Sequence, residues 1–250
     1  MKTVAIIPAR YASTRFPGKP LALLAGRPMV QWVYERAAQA PAVDETIVAT
    51  DDERIAAAVQ AFGGQAVMTS PGHRSGTDRC AEVAEGLPPG SLIINLQGDE
   101  PFVSSDQLRQ VVEPLHHGKA DISTLATRIQ QQSLLFDSNV VKVVIGRAGH
   151  ALYFSRSPIP HLRGVPPEQW VDAGVFYKHL GMYAFRREQL LQLAALPAGQ
   201  YELAESLEQL RWLEAGLNIA VAETAEETIG IDHPEDLQRA ELFLQQQAKR

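Results

Sequence analysis

Val4-Ala5-Ile6-Ile7-Pro8-Ala9-Arg10-Tyr11-Ala12-Ser13-Thr14-Arg15-Phe16-Pro17-Gly18-Lys19-Pro20 opens on an unbroken apolar run and closes on a loop dense in cations. Val4–Ile7 reads as a strand buried on both faces, the kind found inside a parallel sheet. Outward from it, helices and strands alternate. Met29–Gln39 places Met29, Val30, Val33 and Ala37 on one helical face, and Thr46–Ala49 is a second strand. Thr50-Asp51-Asp52-Glu53 opens the next helix with a capping-box pattern, and Gly63-Gly64 ends it. Leu92–Leu96 is a third strand, followed by a helix from Ser104-Ser105-Asp106-Gln107 to Leu115. Such alternation predicts an α/β fold of βαβ units around a mostly parallel sheet.

Past residue 120 the pattern loosens. Asp121–Thr127 and Val140–Ile145 read as strands, with Ala151–Phe154 pairing to the latter across Arg147–His150. Pro158, Pro160, Pro166 and Pro167 make Ser157–Trp170 a loop. Lys178–Phe185 is strand-like, and Tyr201–Ala215 is a long helix ended by Gly216. His233-Pro234-Glu235 starts a last helix with proline at its first position. No repeat or hinge divides the chain. One domain over residues 1–250 is expected, with a partly antiparallel insertion over about 120–220.

The balance of 45% hydrophobic and 21% charged residues excludes a disordered chain, and a net charge of −6 argues against a nucleic-acid partner. A lone cysteine, Cys80, makes neither an internal disulfide nor a Cys-based metal site, and packs as a small apolar residue. The run Val4–Ile7 is too short for a signal core, and no stretch approaches the ~20 apolar residues of a membrane span. A cytoplasmic protein with no membrane partner is expected.

Against that acidic balance, the first 34 residues hold five cations (Lys2, Arg10, Arg15, Lys19, Arg27) and no carboxylate. Three of them lie just after the first strand, and in open α/β sheets ligands bind beyond the strands' carboxyl ends. Arg10, Arg15 and Lys19 suit a polyphosphate, two as forks and one as a point charge. Gly18 allows close backbone approach, and Ser13 and Thr14 add hydroxyl donors. The loop is no Walker A, since Pro20 follows Lys19, and no G-x-G-x-x-G is present.

The loop Arg10-x-x-Ser13-Thr14-Arg15-x-Pro17-Gly18-Lys19-Pro20 resembles the signature of the 3-deoxy-manno-octulosonate (Kdo) cytidylyltransferases, also called CMP-Kdo synthetases. Further blocks follow in the family's order: Val48-Ala49-Thr50-Asp51, Ser75-Gly76-Thr77-Asp78-Arg79, Asn95-x-Gln97-Gly98-Asp99-Glu100-Pro101, Val141-Lys142-Val143-Val144, Tyr153-Phe154-Ser155-Arg156, His179-Leu180-Gly181-x-Tyr183, Leu207-Glu208-Gln209-Leu210-Arg211 and Gly230-Ile231-Asp232. The resemblance implies a three-layer, Rossmann-like nucleotidyltransferase sandwich, whose inserted segment serves sugar binding and dimerisation.

It also implies roles. Arg10, Ser13, Arg15 and Lys19 take the triphosphate, while Arg74, Ser75 and Gly76 form the cytosine side. Gln97 is a ligand contact after the third strand. Magnesium, which takes oxygen ligands and one or two carboxylates beside phosphate oxygens, is expected on Asp99 and Asp232. From the residues alone, Asp232 reads better as a turn or helix-start residue, and only the resemblance pairs it with Asp99. His179, Tyr183, Glu208 and Gln209 match positions lining the sugar-acid pocket, with Arg156 close by.

The implied reaction is CTP + Kdo giving CMP-Kdo and pyrophosphate for lipopolysaccharide biosynthesis, in a homodimer. Arg10, Lys19, Asp99 and Asp232 are its catalytic set. A sialic acid cytidylyltransferase would lack the Pro-Gly-Lys-Pro segment, and an enzyme using an aldose 1-phosphate would open on a glycine-rich turn. A non-catalytic nucleotide-binding protein would have lost Lys19, Asp99 or Asp232. His161 and Phe185 stand where the family often has Trp and Tyr, so an 8-amino Kdo analogue stays an alternative substrate.

Overall fold

In a computed structural model, β1 (Thr3–Ala9) buries Val4, Ala5, Ile6 and Ile7 completely, as a strand covered on both faces must. The residues described are 1–12, 16–118, 120–226, 230–231 and 233–247. They form two compact units, Met1–Arg109 with Thr228–Arg250, and Gln110–Glu227.

In the first unit, β1 leads to a small ladder of β2 (Leu23–Leu24) against β3 (Arg27–Pro28). Then come α1 (Met29–Ala38), β4 (Glu45–Thr50), α2 (Glu53–Ala61), β5 (Ala66–Met68), α3 (Gly76–Glu85), β6 (Leu92–Asn95) and α4 (Ser105–His116), within which the boundary falls. Parallel β4 and β6 flank β1, and β5 adds to β4. The face of α1 expected from its spacing, Met29, Val30, Val33 and Ala37, is fully buried. The C-terminal helix Asp236–Gln247 packs here too: Ala240 joins Leu24, Met29, Phe102 and Ile231 in one apolar cluster, and Phe243 meets Phe102 edge-on.

Two starts differ from the sequence reading. Asp52 caps α2, accepting from Arg54 N, while Thr50 ends β4. The last helix begins at Asp236, whose carboxylate accepts from His233 N, so Pro234 lies in the preceding turn. The three-residue β5 and its half-exposed pattern had offered no periodicity to read.

The second unit comprises β7 (Ile122–Arg128), α5 (Gln132–Phe136), β8 (Lys142–Ile145), β9 (Ala151–Ser155), α6 (Trp170–Ala173), β10 (Tyr177–Arg186), α7 (Arg187–Ala194), α8 (Gln200–Glu205), α9 (Gln209–Glu214) and β11 (Ile219–Glu223). Antiparallel pairs β7–β10, β8–β9 and β8–β10 join a parallel pair β7–β11, giving the partly antiparallel character expected. The expected helix Tyr201–Ala215 is two helices. Ser206 adopts a left-handed conformation (φ 53°), and Leu207 N reaches back to Glu202 O. Such a C-cap ends one helix and redirects the chain before the next. Among the described residues no helix is long and apolar enough to cross a membrane.

Candidate active site

In the first unit, Arg10 follows β1 directly, and its Nη2 donates to Arg74 O at 3.0 Å, tying the strand end to the entry of α3. Gly18 N closes the loop on Tyr11 O (2.9 Å), and Leu21 N donates to Gly18 O. Gly18 has φ +70°, and a Cβ there would lie 3.2 Å from the Tyr11 ring. Gly18→Ala is therefore expected to cost about 1–2 kcal/mol, read as a lower denaturant midpoint with an unchanged m-value.

That turn presents Lys19, whose Nζ lies 2.6 Å from Asp99 Oδ2, with the two side chains 14% and 31% exposed. Asp99 lies in the turn Gly98-Asp99 that follows β6, so the segments leaving the carboxyl ends of neighbouring parallel strands supply the pair. The Asp99 carbonyl accepts from Ile231 N at 3.0 Å, which fixes the C-terminal segment against it. Asp232, next in sequence, lies outside the described residues, as do Ser13 and Arg15.

α3 starts hard against β1, where a Cβ on Gly76 would lie 3.1 Å from Pro8 Cγ. Ser75 and Asp78 form a reciprocal capping box. Gln97 Nε2 reaches Asn95 Oδ1 at 3.4 Å, a long contact. Two residues without an assigned role support this rim. Arg79, fully buried, donates to Thr69 Oγ1 and lies 3.4 Å from Asp51. Glu82 accepts from Ser70 N and contacts His73 Nε2, and the His73 bond holds its carboxyl below the usual range. An Arg beside Cys80-Ala81 on an apolar helical face was the available signal for Arg79.

In the second unit, His179 and Tyr183 project from β10, their rings 5.3 Å apart. The β7–β10 register shifts between Leu180 and Tyr183, and Thr124 Oγ1 fills that irregularity, 2.7 Å from Met182 O and 3.0 Å from His179 Nε2. A hydroxyl has one proton; spent on Met182 O, it leaves Nε2 as the donor. His179 Nδ1 is then an acceptor. Burial pushes the His179 pKa down to about 3, so the ring is neutral. Its unfolded value near 6.5 means the unfolded chain binds the extra proton first as pH falls. Stability from this residue is intact above ~6.5 and drops by about 1.4 kcal/mol per pH unit on the way down towards 3. Denaturation of His179→Gln between pH 6 and pH 4 is expected to show a shallower pH slope than the wild type.

Tyr183 is 6% exposed, and its hydroxyl is buried with no hydrogen-bond partner among the described residues. Burial first, and the Glu208 charge second, raise its pKa. An orphaned buried hydroxyl is a rare and costly feature. Glu208 accepts from Arg211 Nη2 (2.7 Å), and Gln209 is buried at the start of α9. Arg156 grips backbone: Nε donates to Glu205 O, Nη1 to Ser138 O and Nη2 to Ser206 O. Phe185 is fully buried, 5.4 Å from the Trp212 ring.

Parallel strands with a Lys–Asp pair beyond their carboxyl ends define an α/β protein, and the chain belongs to the cytidylyltransferase family, whose profile matches residues 4–224. It is 50% identical over 249 residues to the 3-deoxy-manno-octulosonate cytidylyltransferase of Parabacteroides distasonis, covering 98% of each chain. The Phocaeicola vulgatus protein of that name is 52% identical over 250 residues, with 98% of each chain covered. A solved structure of CMP:2-keto-3-deoxy-manno-octonic acid synthetase complexed with CTP superposes with a TM-score of 0.91 at 43% identity, over 99% of this chain and 100% of that one. Within its family, then, the chain is one of the 3-deoxy-manno-octulosonate cytidylyltransferases.

Proposed function

We propose that this protein transfers CMP from CTP to the anomeric hydroxyl of Kdo, giving CMP-Kdo and pyrophosphate for lipopolysaccharide biosynthesis. The observation carrying the reading is the Lys19–Asp99 contact at the carboxyl ends of parallel strands, in a chain about half identical to enzymes of that name. The sugar oxygen attacks the α-phosphorus in line as the bond to pyrophosphate breaks, and the hydroxyl proton leaves to water. Such chemistry is mostly positioning and charge stabilisation. Arg10 and Lys19 offset charge on the α-phosphate, and Arg15 holds the leaving pyrophosphate with Ser13. Arg74, Ser75 and Gly76 serve the cytosine side, and Gln97 contacts the ligands.

The Asp99 carboxylate, partly exposed with one oxygen on Lys19, is a hard oxygen donor of the kind Mg²⁺ takes. With Asp232 it would hold that ion, which when bound lowers the pKa of the attacking hydroxyl. Lys19 holds Asp99 in place until substrate arrives. In the second unit the His179 acceptor, the buried Tyr183 hydroxyl, Glu208 and Gln209 provide for the sugar acid, with Arg156 close by. A homodimer in the cytoplasm completes the proposal, and exposed Leu152 and Leu203 offer apolar surface to a second copy.

Mass spectrometry of products from CTP with Kdo, its 8-amino analogue or sialic acid tests the substrate. CMP-Kdo as the main product is expected. Product from the 8-amino analogue alone would transfer the reading to that sugar.

A further inference from the structure

Lys142, in the strand β8, is a cation whose side chain is fully buried. Desolvating an ammonium is costly unless every proton finds an acceptor. Here all three do. Nζ donates to Asp137 O (2.9 Å), Val140 O (2.5 Å) and Arg156 O. Burial lowers its pKa, while the Asp137 and Glu205 charges act to keep it protonated. With its protons engaged it is neither a nucleophile nor a surface charge.

The carbonyl it holds belongs to Arg156, and Arg156 is the centre of a second set of bonds. Its N–H donates to Glu205 Oε2 (2.9 Å) and its Nε to Glu205 O (2.7 Å). Nη1 takes Ser138 O (3.1 Å) and Nη2 takes Ser206 O (3.3 Å). Ser155 Oγ adds a bond to Glu205 Oε1 at 2.6 Å. Two cations and one carboxylate thus pin three segments: residues 137–140, the end of β9, and the turn between α8 and α9. That turn contains left-handed Ser206 and leads straight into Glu208 and Gln209.

We propose that Lys142 is a positioning residue for the sugar-acid side: through the Arg156 carbonyl it holds Arg156 on the Ser206 turn, and so sets where Glu208 and Gln209 stand. The assignment of those two residues to the sugar acid rests on the function proposed above; the fixing of the turn does not. Lys142→Met keeps an unbranched side chain one atom shorter and leaves three carbonyls without their donor, and Glu205→Gln weakens the same knot from the other side.

Steady-state kinetics on the full chain are expected to show the KM for Kdo rising about tenfold to a hundredfold in Lys142→Met, with the KM for CTP within about twofold. Hydrogen exchange in the substrate-free protein is expected to speed up at the Arg156 and Leu207 amides and to stay unchanged in β1. If Lys142→Met does not fold, Glu205→Gln carries the same comparison with a smaller rise. Equal shifts in both KM values, or unchanged exchange at Arg156 and Leu207, would overturn the proposal. A wild type that makes no CMP-Kdo would instead sink the function, and the exchange comparison still decides whether Lys142 fixes the turn.

Discussion

Lys19→Ala is expected to lower kcat by about a hundredfold to a thousandfold, the loss seen when one preorganised donor to a developing charge is removed. The physical reason is the placement of Lys19. Its side chain is 14% exposed and held by the Gly18 turn, so in the proposed reaction it would meet the phosphates without having to be ordered first. Asp99 loses a partner in the variant, but at 31% exposure water replaces that partner. Folding stability should therefore change by less than about 1 kcal/mol, as for partly exposed ion pairs. Lys19→Arg is expected to recover only part of the rate, because a planar fork does not reproduce a compact point charge. Pyrophosphate release and thermal melting, run side by side, separate a chemical effect from an unfolded protein.

Asp99→Asn is expected to cost a similar factor and, unlike Lys19→Ala, to raise the Mg²⁺ concentration at half-maximal rate at least tenfold, because the proposal gives the ion two carboxylates, Asp99 and Asp232, and the variant removes one. Asparagine keeps the backbone carbonyl that accepts from Ile231 N, so the C-terminal segment stays anchored. A variant with wild-type magnesium dependence would remove Asp99 from the metal role and leave it as the partner of Lys19.

Much of the first unit could be read from the chain because its strands are covered on both sides and its helices on one. Val4–Ile7 and the Met29, Val30, Val33, Ala37 stripe carry those periods openly. Lys19 and Asp99 lie 80 positions apart; the strand-end rule placed them on one rim, but only the β1–β6 register makes them partners. The break at Ser206 left no mark, because Tyr201–Ala215 reads as helix, and its left-handed turn is held by Arg156, the residue after β9. Lys142 misleads in the same way. A lysine in a Val-rich strand gives no sign of burial until the carbonyls of Asp137, Val140 and Arg156 converge on it. The backbone bonds of Arg156 left no mark either, because nothing local shows that a guanidinium with five donors will satisfy several carbonyls at once.

The most direct test of the account is pyrophosphate release by the purified protein with CTP, Mg²⁺ and Kdo, each omitted in turn. The account predicts release that requires all three. Full-rate release without Kdo, or none with all three present while CTP still stabilises the protein against heat, would contradict it.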